Sequence, residues 1–366
     1  MAQTIIGVND DQATRAWAKK LIIEAMKETM ADKFVGKDEN SIVQVRDALK
    51  GGGQNITIGL RRRLTGKGVK GDAEAKNSSE GLNVRSDAMW IDQLRHVVNI
   101  TGLMSQQRVT WSMRAEANSA LKDWWSDRID VSILNQLGGN SAQTDVEYTG
   151  LQAALAPSTT RQIFAADAAA VATLTTEDYR FTLDLVDRCV LKARTASPAI
   201  RPVMVGGMRV YVMILHPNQA YQLRTNMAEG QWAQIQQAAL KGGMITKNPL
   251  FTGALGMWNN VLLFEDARVP FGDSDQANAE YHTDLGAPAA GVTSVARAIF
   301  CGAQAAGFGI GRVENYPERM RWVEVLDDGE NQLNIFAGMI FGVKKLRFDN
   351  VDFGTIVVHT YSPGVA

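Results

Sequence analysis

The feature that most constrains the fold is a long amphipathic helix, which the sequence predicts over residues 105–137. Ser105 is placed to cap its first turn, because a serine hydroxyl accepts hydrogen bonds from the free backbone N–H groups there. Gly138 and Gly139 supply the end, since glycine readily adopts the left-handed conformation that closes a helix. Apolar side chains recur with helical spacing at Met113, Ala117, Leu121, Trp124, Val131 and Leu134. Such a helix would be about 50 Å long, so it must lie along a flat domain, a partner subunit or both.

The composition is that of an ordinary globular protein. Of the 366 residues, 45% are apolar and 21% are charged, and this length favours two domains. Lys and Arg number 38 against 39 Asp and Glu, a net charge of −1, so the chain as a whole is not a polyanion-binding protein. The N-terminus has no pattern of a secretory signal, and no apolar run reaches the roughly 18 residues of a membrane span. We therefore expect a protein that is made and used in the cytosol.

Side chains that could carry chemistry are scattered along the chain. The two cysteines, Cys189 and Cys301, each sit in an apolar run and are predicted to be buried thiols in a reducing compartment. The four histidines belong to no metal-binding or catalytic motif: His96, His216, His282 and His359. The sequence therefore predicts no catalytic residue and no zinc site.

Two glycine-rich segments and one acidic segment weakly resemble ligand sites. GFGIG at 307–311 matches part of a dinucleotide fingerprint by glycine count only, and GKGVKGD at 66–72 lacks the spacing of a phosphate-binding loop. Asp327, Asp328 and Glu330 could hold a divalent cation through oxygen ligands, although such acidic turns are more often simply solvated. We predict no cofactor and no metal.

A long β-hairpin is predicted within residues 36–98. Apolar side chains alternate along two arms, at Ile56, Ile58, Leu60 and Leu64 and again at Leu82, Val84, Ala88 and Trp90. Residues 65–81 between the arms are rich in Gly, Lys and Ser and form a predicted loop. Because an isolated two-stranded hairpin is marginally stable in water, its apolar face needs a cover, for which a neighbouring subunit is the natural source.

Charge is distributed unevenly between two distant segments. Residues 46–71 carry seven basic side chains against Asp47 alone, and residues 313–331 carry six acidic side chains against Arg319 and Arg321. Opposite patches favour docking between or within subunits, although both could be merely solvated faces. The candidate contact residues between subunits are Arg61, Arg62, Arg63, Lys67, Lys70, Glu324, Asp327 and Asp328.

The remaining chain divides near residues 196–203, where two prolines favour extended backbone. Residues 196–311, which include the apolar strand VYVMIL at 210–215, are predicted to form a compact α+β unit. Residues 312–366 return to strand patterns. We expect these last strands to pack beside the long helix, which would make the first domain discontinuous.

Several blocks together resemble one protein family. RHVVNITGLMSQQRVTWSMRAEANSALKDWW at 95–125, followed by LNQLGG, is similar to the major capsid proteins of N-four-like tailed bacteriophages. Further similar blocks are GDAEAKNSSEGL, RPVMVGG with YVMILHPNQAYQL, and WVEVLDDGENQLNIFAGMIFGVKKLRFDNVDFGTIVVHT. They cover most of the chain in the same order.

The resemblance implies an α+β chain with the Hong Kong-97-type capsid fold. Its implied parts are an N-terminal arm at 1–35, an extended loop at 36–98, a peripheral domain at 99–195 and 312–366 with the spine helix at 105–137, and an axial domain at 196–311. This agrees with a helix too long for one core and a hairpin that lacks a cover.

The implied function is structural. A major capsid protein assembles with copies of itself, as hexamers and pentamers, into an icosahedral shell in the bacterial host cytoplasm. The shell encloses double-stranded DNA that is contacted non-specifically, and portal, scaffolding and decoration proteins are further candidate partners. The alternatives are an encapsulin-like cargo shell of the same fold and a cytosolic enzyme centred on residues 196–311.

Overall fold

The computed structural model describes residues 11–47, 53–72, 74–100, 102–205, 207–225, 254–271, 295–312 and 319–362. Within these residues the α-helices are α1 (Asp11–Glu28), α2 (Leu103–Arg108), α3 (Met113–Gly138), α4 (Leu183–Thr195) and α5 (Pro217–Thr225). The strands up to the middle of the chain are β1 (Val35–Gly36), β2 (Val43–Asp47), β3 (Asn55–Arg61), β4 (Val84–Trp90), β5 (Asp92–Ile100), β6 (Gln162–Phe164), β7 (Val203–Val205) and β8 (Met208–Leu215). The later strands are β9 (Gly256–Trp258), β10 (Val261–Glu265), β11 (Val295–Cys301), β12 (Ala306–Ile310), β13 (Met320–Asp327), β14 (Gln332–Lys345), β15 (Arg347–Phe348), β16 (Val351–Asp352) and β17 (Thr355–Tyr361).

Two large sheets and two small ribbons organise these strands. The six-stranded sheet has the order β1-β2-β12-β14-β13, with β5 also paired to β14. The seven-stranded sheet has the order β6-β17-β11-β8-β10-β9, with β7 paired to β8. The ribbons are β3–β4, which is the predicted hairpin, and β15–β16.

The long helix predicted over residues 105–137 is divided in two. α3 begins at Met113, where the Ser112 hydroxyl accepts a hydrogen bond of 3.4 Å from the Ala115 N–H. Ser105, the predicted cap, lies instead inside the short helix α2. The prediction was therefore wrong about the start of the helix, because a later serine provides the cap.

The chain between the two helices is extended. Val109 has φ −108° and ψ 147°, in keeping with the preference of the β-branched residues Val109 and Thr110 for extended backbone. At its other end α3 closes as predicted, with Gly139 in the left-handed conformation at φ 61°. The continuous helix is thus 26 residues, or about 39 Å, long.

The helix of the predicted arm at 1–35 packs on its own chain. α1 lies against α3 and β13, with Leu21 fully buried and the Trp17 ring stacked on the Trp322 ring at 5.9 Å between centroids. Residues 1–10 of the arm lie outside the described residues. α1 is thus held against α3 and β13 of its own chain.

The sheets do not follow the predicted domain boundaries. β17, within the predicted peripheral segment 312–366, pairs with β11 over seven residues in the seven-stranded sheet. β12, within the predicted axial segment 196–311, pairs instead with β2 and β14 in the six-stranded sheet. A pattern of buried apolar residues identifies a strand without identifying its partner, which is why the boundaries near 311 need this correction.

A fully buried ion pair joins the end of β14 to the small ribbon. The Lys345 Nζ lies 3.0 Å from the Asp352 Oδ2, and neither side chain is exposed to solvent. The Arg347 Nε donates to the other oxygen of this carboxylate at 2.8 Å. Because a buried charge without a partner is strongly destabilising, this arrangement fixes β15–β16 against the six-stranded sheet.

The buried lysine predicts a pH dependence of stability. Burial lowers the pKa of Lys345 to about 8 from its ordinary 10.5. Between these pH values the folded chain has released a proton that the unfolded chain retains, so the free energy of unfolding gains a component that rises with pH. Urea unfolding of Lys345→Met across this range should lack that component, whereas Lys19→Met, which removes an exposed lysine, should retain it. The same pH profile in both variants would contradict the assignment.

Candidate subunit interface

The root of the hairpin is packed on its own chain. β3 and β4 pair in antiparallel register from Asn55 opposite Trp90 to Arg61 opposite Val84. Their inward side chains form a buried cluster with the small ribbon and the residues on either side of it: Ile58, Leu60, Met89, Leu346, Phe348 and Phe353. The prediction that a neighbouring subunit covers the whole apolar face was therefore wrong for the root.

Glycines on β12 make room for this packing. A Cβ on Gly307 would lie 2.5 Å from the Ile58 Cδ1 and 2.7 Å from the Met89 Cε, both closer than real contacts. A Cβ on Gly309 would lie 2.9 Å from the Ile56 Cδ1. The alternating glycines of GFGIG thus form a flat track under the hairpin, which is a structural reason for the motif that does not involve a dinucleotide.

Polar contacts fasten the same root. The Asp87 carboxylate accepts hydrogen bonds from the Lys344 Nζ at 2.6 Å and from the Arg347 backbone N–H at 2.8 Å. The Gln152 side-chain amide accepts from the Trp90 N–H at 3.4 Å and donates to the Trp90 carbonyl at 3.2 Å and the Val343 carbonyl at 3.0 Å. These bonds fix the hairpin where β4 continues into β5.

Beyond the root, residues 62–83 belong to the hairpin tip, and most of the side chains that the structure describes there are exposed. Leu64 is 54% exposed and Leu82 is 60% exposed, although both continue the apolar alternation of the arms. The Glu80 carboxylate accepts hydrogen bonds from the Thr65 N–H at 2.8 Å and the Gly66 N–H at 2.5 Å, and these backbone bonds lower the pKa of Glu80. The neck of the tip is thus held closed while its apolar residues face solvent.

The predicted basic residues of the hairpin have different environments. Arg62 donates a hydrogen bond to the Ser197 hydroxyl, and its guanidinium carbon lies 5.7 Å from the centroid of the Phe348 ring. Both contacts are within its own chain. Arg61 and Arg63 are exposed, and within the described residues neither forms an ion pair. Lys67 and Lys70 are also exposed, on the tip.

The predicted acidic residues also divide. Glu324 is 3% exposed and accepts hydrogen bonds from the Arg114 Nε at 3.0 Å and the Trp322 Nε1 at 2.8 Å. It fastens α3 to β13 within one chain, so its assignment as a contact between subunits requires correction. Asp327 at the end of β13 and Asp328 in the turn that follows it are both exposed.

Exposed apolar residues that the sequence did not predict lie in α2 and just after it, and α2 is hydrogen-bonded to the end of this turn. Leu103, Met104 and Trp111 are all exposed, and the Leu103 N–H donates to the Asn331 Oδ1 at 3.1 Å. The sequence analysis placed these residues within or beside one continuous helix and so did not identify them as exposed. The break in that helix at the extended residue Val109 was not predicted.

Burial shifts the pKa values of two histidines and both cysteines among the described residues. Burial lowers the pKa of His216 to about 4 and that of His359 to about 3, and it raises the pKa of Cys301 to about 12. The pKa of the Cys189 thiol is also raised by burial. His282 lies outside the described residues.

The described part of the chain contains neither a metal-binding group nor a helix that could span a membrane. There, no group of three or more His, Cys, Asp or Glu side chains is arranged to hold a metal ion. In the same ranges, no helix is both long and apolar enough to cross a membrane. Asp327, Asp328 and Glu330 therefore do not form such a group.

Comparison with known proteins places this geometry in a family. A family model described as phage capsid protein matches residues 5–364. The major capsid protein of Pseudomonas phage KPP25 is 25% identical over 96% of each chain. The capsid of Ralstonia phage GP4 is 27% identical, with a TM-score of 0.79 and 99% of each chain covered. The capsid chain of cyanophage Pam1, 19% identical, shares the fold with a TM-score of 0.65 over 93% of this chain and 94% of that one.

These matches extend across both sheets, the spine helix α3 and the hairpin. Since the family model covers nearly the whole chain, this protein belongs to the phage capsid protein family, as a tailed-phage major capsid protein with the Hong Kong-97-type α+β fold.

Proposed function

We propose that copies of this chain assemble into the closed icosahedral head of a phage by laying each hairpin tip on a neighbouring copy. The observation that carries this proposal is the contrast within the hairpin, whose root is buried while Leu64 and Leu82 at its tip are exposed. Burying an apolar side chain of this size contributes about 1.5–3 kcal/mol. A neighbouring copy that covers the tip would gain that free energy at every contact of the shell.

Relative position within one chain supports head-to-tail contact between copies. The hairpin root packs near the end of β14, where Lys344 bonds Asp87, and the acidic turn with its apolar neighbours lies at the start of β14. Surfaces at opposite ends of a subunit form heterologous contacts, which close into rings when the rotation between copies allows it. Rings of five and six copies would be the pentamers and hexamers of the shell.

The packaged genome would be held without sequence recognition. A chain with a net charge of −1 supplies little overall attraction for DNA, and crowded copies repel one another weakly. Contacts with double-stranded DNA would therefore be to phosphates and would fix no base sequence. Portal, scaffolding and decoration proteins, and assembly in the host cytoplasm, belong to this proposal as expected partners and place of assembly.

The contents of purified particles test the proposal against a cargo shell of the same fold. Electron microscopy should show closed particles, and those from infected cells should contain double-stranded DNA. Particles that contain only protein cargo after infection would favour the encapsulin-like alternative.

Replacing residues 65–81 by a short Gly-Ser linker should abolish shell formation. The variant keeps β3 and β4 joined, since the Arg62 N–H still reaches the Asn83 carbonyl at 3.1 Å, so the chain should remain folded. We expect subunits or small oligomers by sedimentation velocity and an unchanged far-ultraviolet circular dichroism spectrum. Normal particles from this variant would show that residues 65–81 of the tip are not needed for assembly.

Substitution in the glycine track should displace the hairpin. Gly307→Val forces side-chain atoms into the space of Ile58 and Met89, which should cost about 1–3 kcal/mol by overpacking. Gly59→Val is the matched control, because a Cβ there meets nothing within 4 Å. We expect a lower free energy of unfolding and few particles from the first variant, with both properties retained in the control. Equal behaviour of the two variants would contradict the packing described for the root.

A further inference from the structure

We propose that a groove between the hairpin neck (residues 61–65 and Leu82) and residues 196–202 binds the acidic turn at 327–330 of a second copy. This inference rests on the proposed shell function and names the two surfaces that meet. It concerns the neck of the hairpin and not its outermost loop.

The groove combines positive charge with an apolar floor. Its volume is about 730 Å³, and its arginines are Arg61, Arg62, Arg63 and Arg201. Apolar lining is supplied by Leu64, Leu82, Pro198 and Phe353, and none of the described residues that line it is acidic. A segment that is both acidic and apolar would therefore fit it.

Two of the four arginines already have partners in their own chain. Arg62 bonds the Ser197 hydroxyl, and Arg201 bonds the Gln304 side chain and lies 3.7 Å from the Glu39 carboxylate. These two shape the walls of the groove. The exposed guanidinium groups of Arg61 and Arg63, which have no acidic partner within the described residues, supply its uncompensated charge.

The acidic turn has the complementary character. Asp327, Asp328 and Glu330 are exposed, and Val325 and Leu326 immediately before them are exposed apolar residues. A guanidinium group can form two parallel hydrogen bonds with one carboxylate, so arginines suit this partner better than lysines would.

The turn is also held in shape before it binds. The Asn331 N–H donates to the Asp328 carbonyl at 3.1 Å, and the Asn331 side chain accepts from α2 through the Leu103 N–H at 3.1 Å. A preformed surface loses less conformational entropy on association.

Distance excludes contact within one chain. β14 has 14 residues, which corresponds to about 45 Å at the usual rise of a strand. The turn lies at its start, whereas Phe353 of the groove is hydrogen-bonded to Leu346 just beyond its end. A contact between this turn and this groove therefore joins two copies of the chain.

Cysteine cross-linking of assembled particles tests this contact directly. The native thiols Cys189 and Cys301 are fully buried, so a short bismaleimide should react only with introduced cysteines. Ala199→Cys with Glu330→Cys should give a ladder of covalently linked chains in particles. The control is Ala199→Cys with Glu147→Cys, which replaces an exposed acidic residue elsewhere and should give none.

Charge reversal tests the electrostatic part. Arg61→Glu with Arg63→Glu, and separately Asp327→Lys with Asp328→Lys, should each raise the concentration needed for assembly about tenfold, which corresponds to about 1.4 kcal/mol. The effect should diminish at high salt because exposed charges are screened. All four substitutions in one chain should restore assembly by exchanging the signs.

The outcomes separate this inference from the function on which it rests. Particles that form normally without the cross-linked ladder, or reversals that leave assembly unchanged, would overturn the contact and leave the shell function standing. A third outcome is that the arginine reversal weakens assembly and the two lysine substitutions do not restore it. That result would assign the groove to another partner and would equally overturn the inference. Failure of the unsubstituted chain to form particles would instead contradict the proposed function.

Discussion

The packing of Ile58 and Met89 onto the glycines of β12 is the contact on which the hairpin's position depends. It buries the root of a two-stranded ribbon that would be marginal alone, and it leaves no comparable cover for Leu64 and Leu82 at the tip. The same hairpin is therefore rigidly attached at one end and incompletely buried at the other. Such a division suits a subunit that must fold by itself and still gain free energy when it meets its copies.

The charged side chains divide in the same way. Some form ion pairs inside the chain, and others remain exposed on its surface. Lys345 with Asp352, and Glu324 with Arg114, hold elements of one chain together and are buried or partly buried. Arg61, Arg63, Asp327 and Asp328 are exposed. Sequence alone assigned Glu324 to the surface group because its neighbours are acidic, and only the packing of α3 on β13 separates it from them.

The hairpin and the end of the spine helix could be predicted because their signals are local. Alternation around Ile58 and the glycines after Leu137 each specify a conformation within a few residues. The start of the helix was missed because Ser105 and Ser112 are both adequate caps, and the choice between them depends on the extended Val109. The sequence did not predict that β12 belongs to the six-stranded sheet and β17 to the seven-stranded sheet. An apolar run identifies a strand but does not identify a partner that is distant in sequence. The resemblance to a capsid family supplied the fold class that these local signals could not.

The most direct test of the account is an electron cryo-microscopy reconstruction of assembled particles that resolves the hairpin. The account predicts that residues 62–83 of each copy lie on an adjacent copy, with Leu64 and Leu82 removed from solvent by that contact. A reconstruction in which the tip folds back on its own chain, with its apolar side chains covered there, would contradict the central claim.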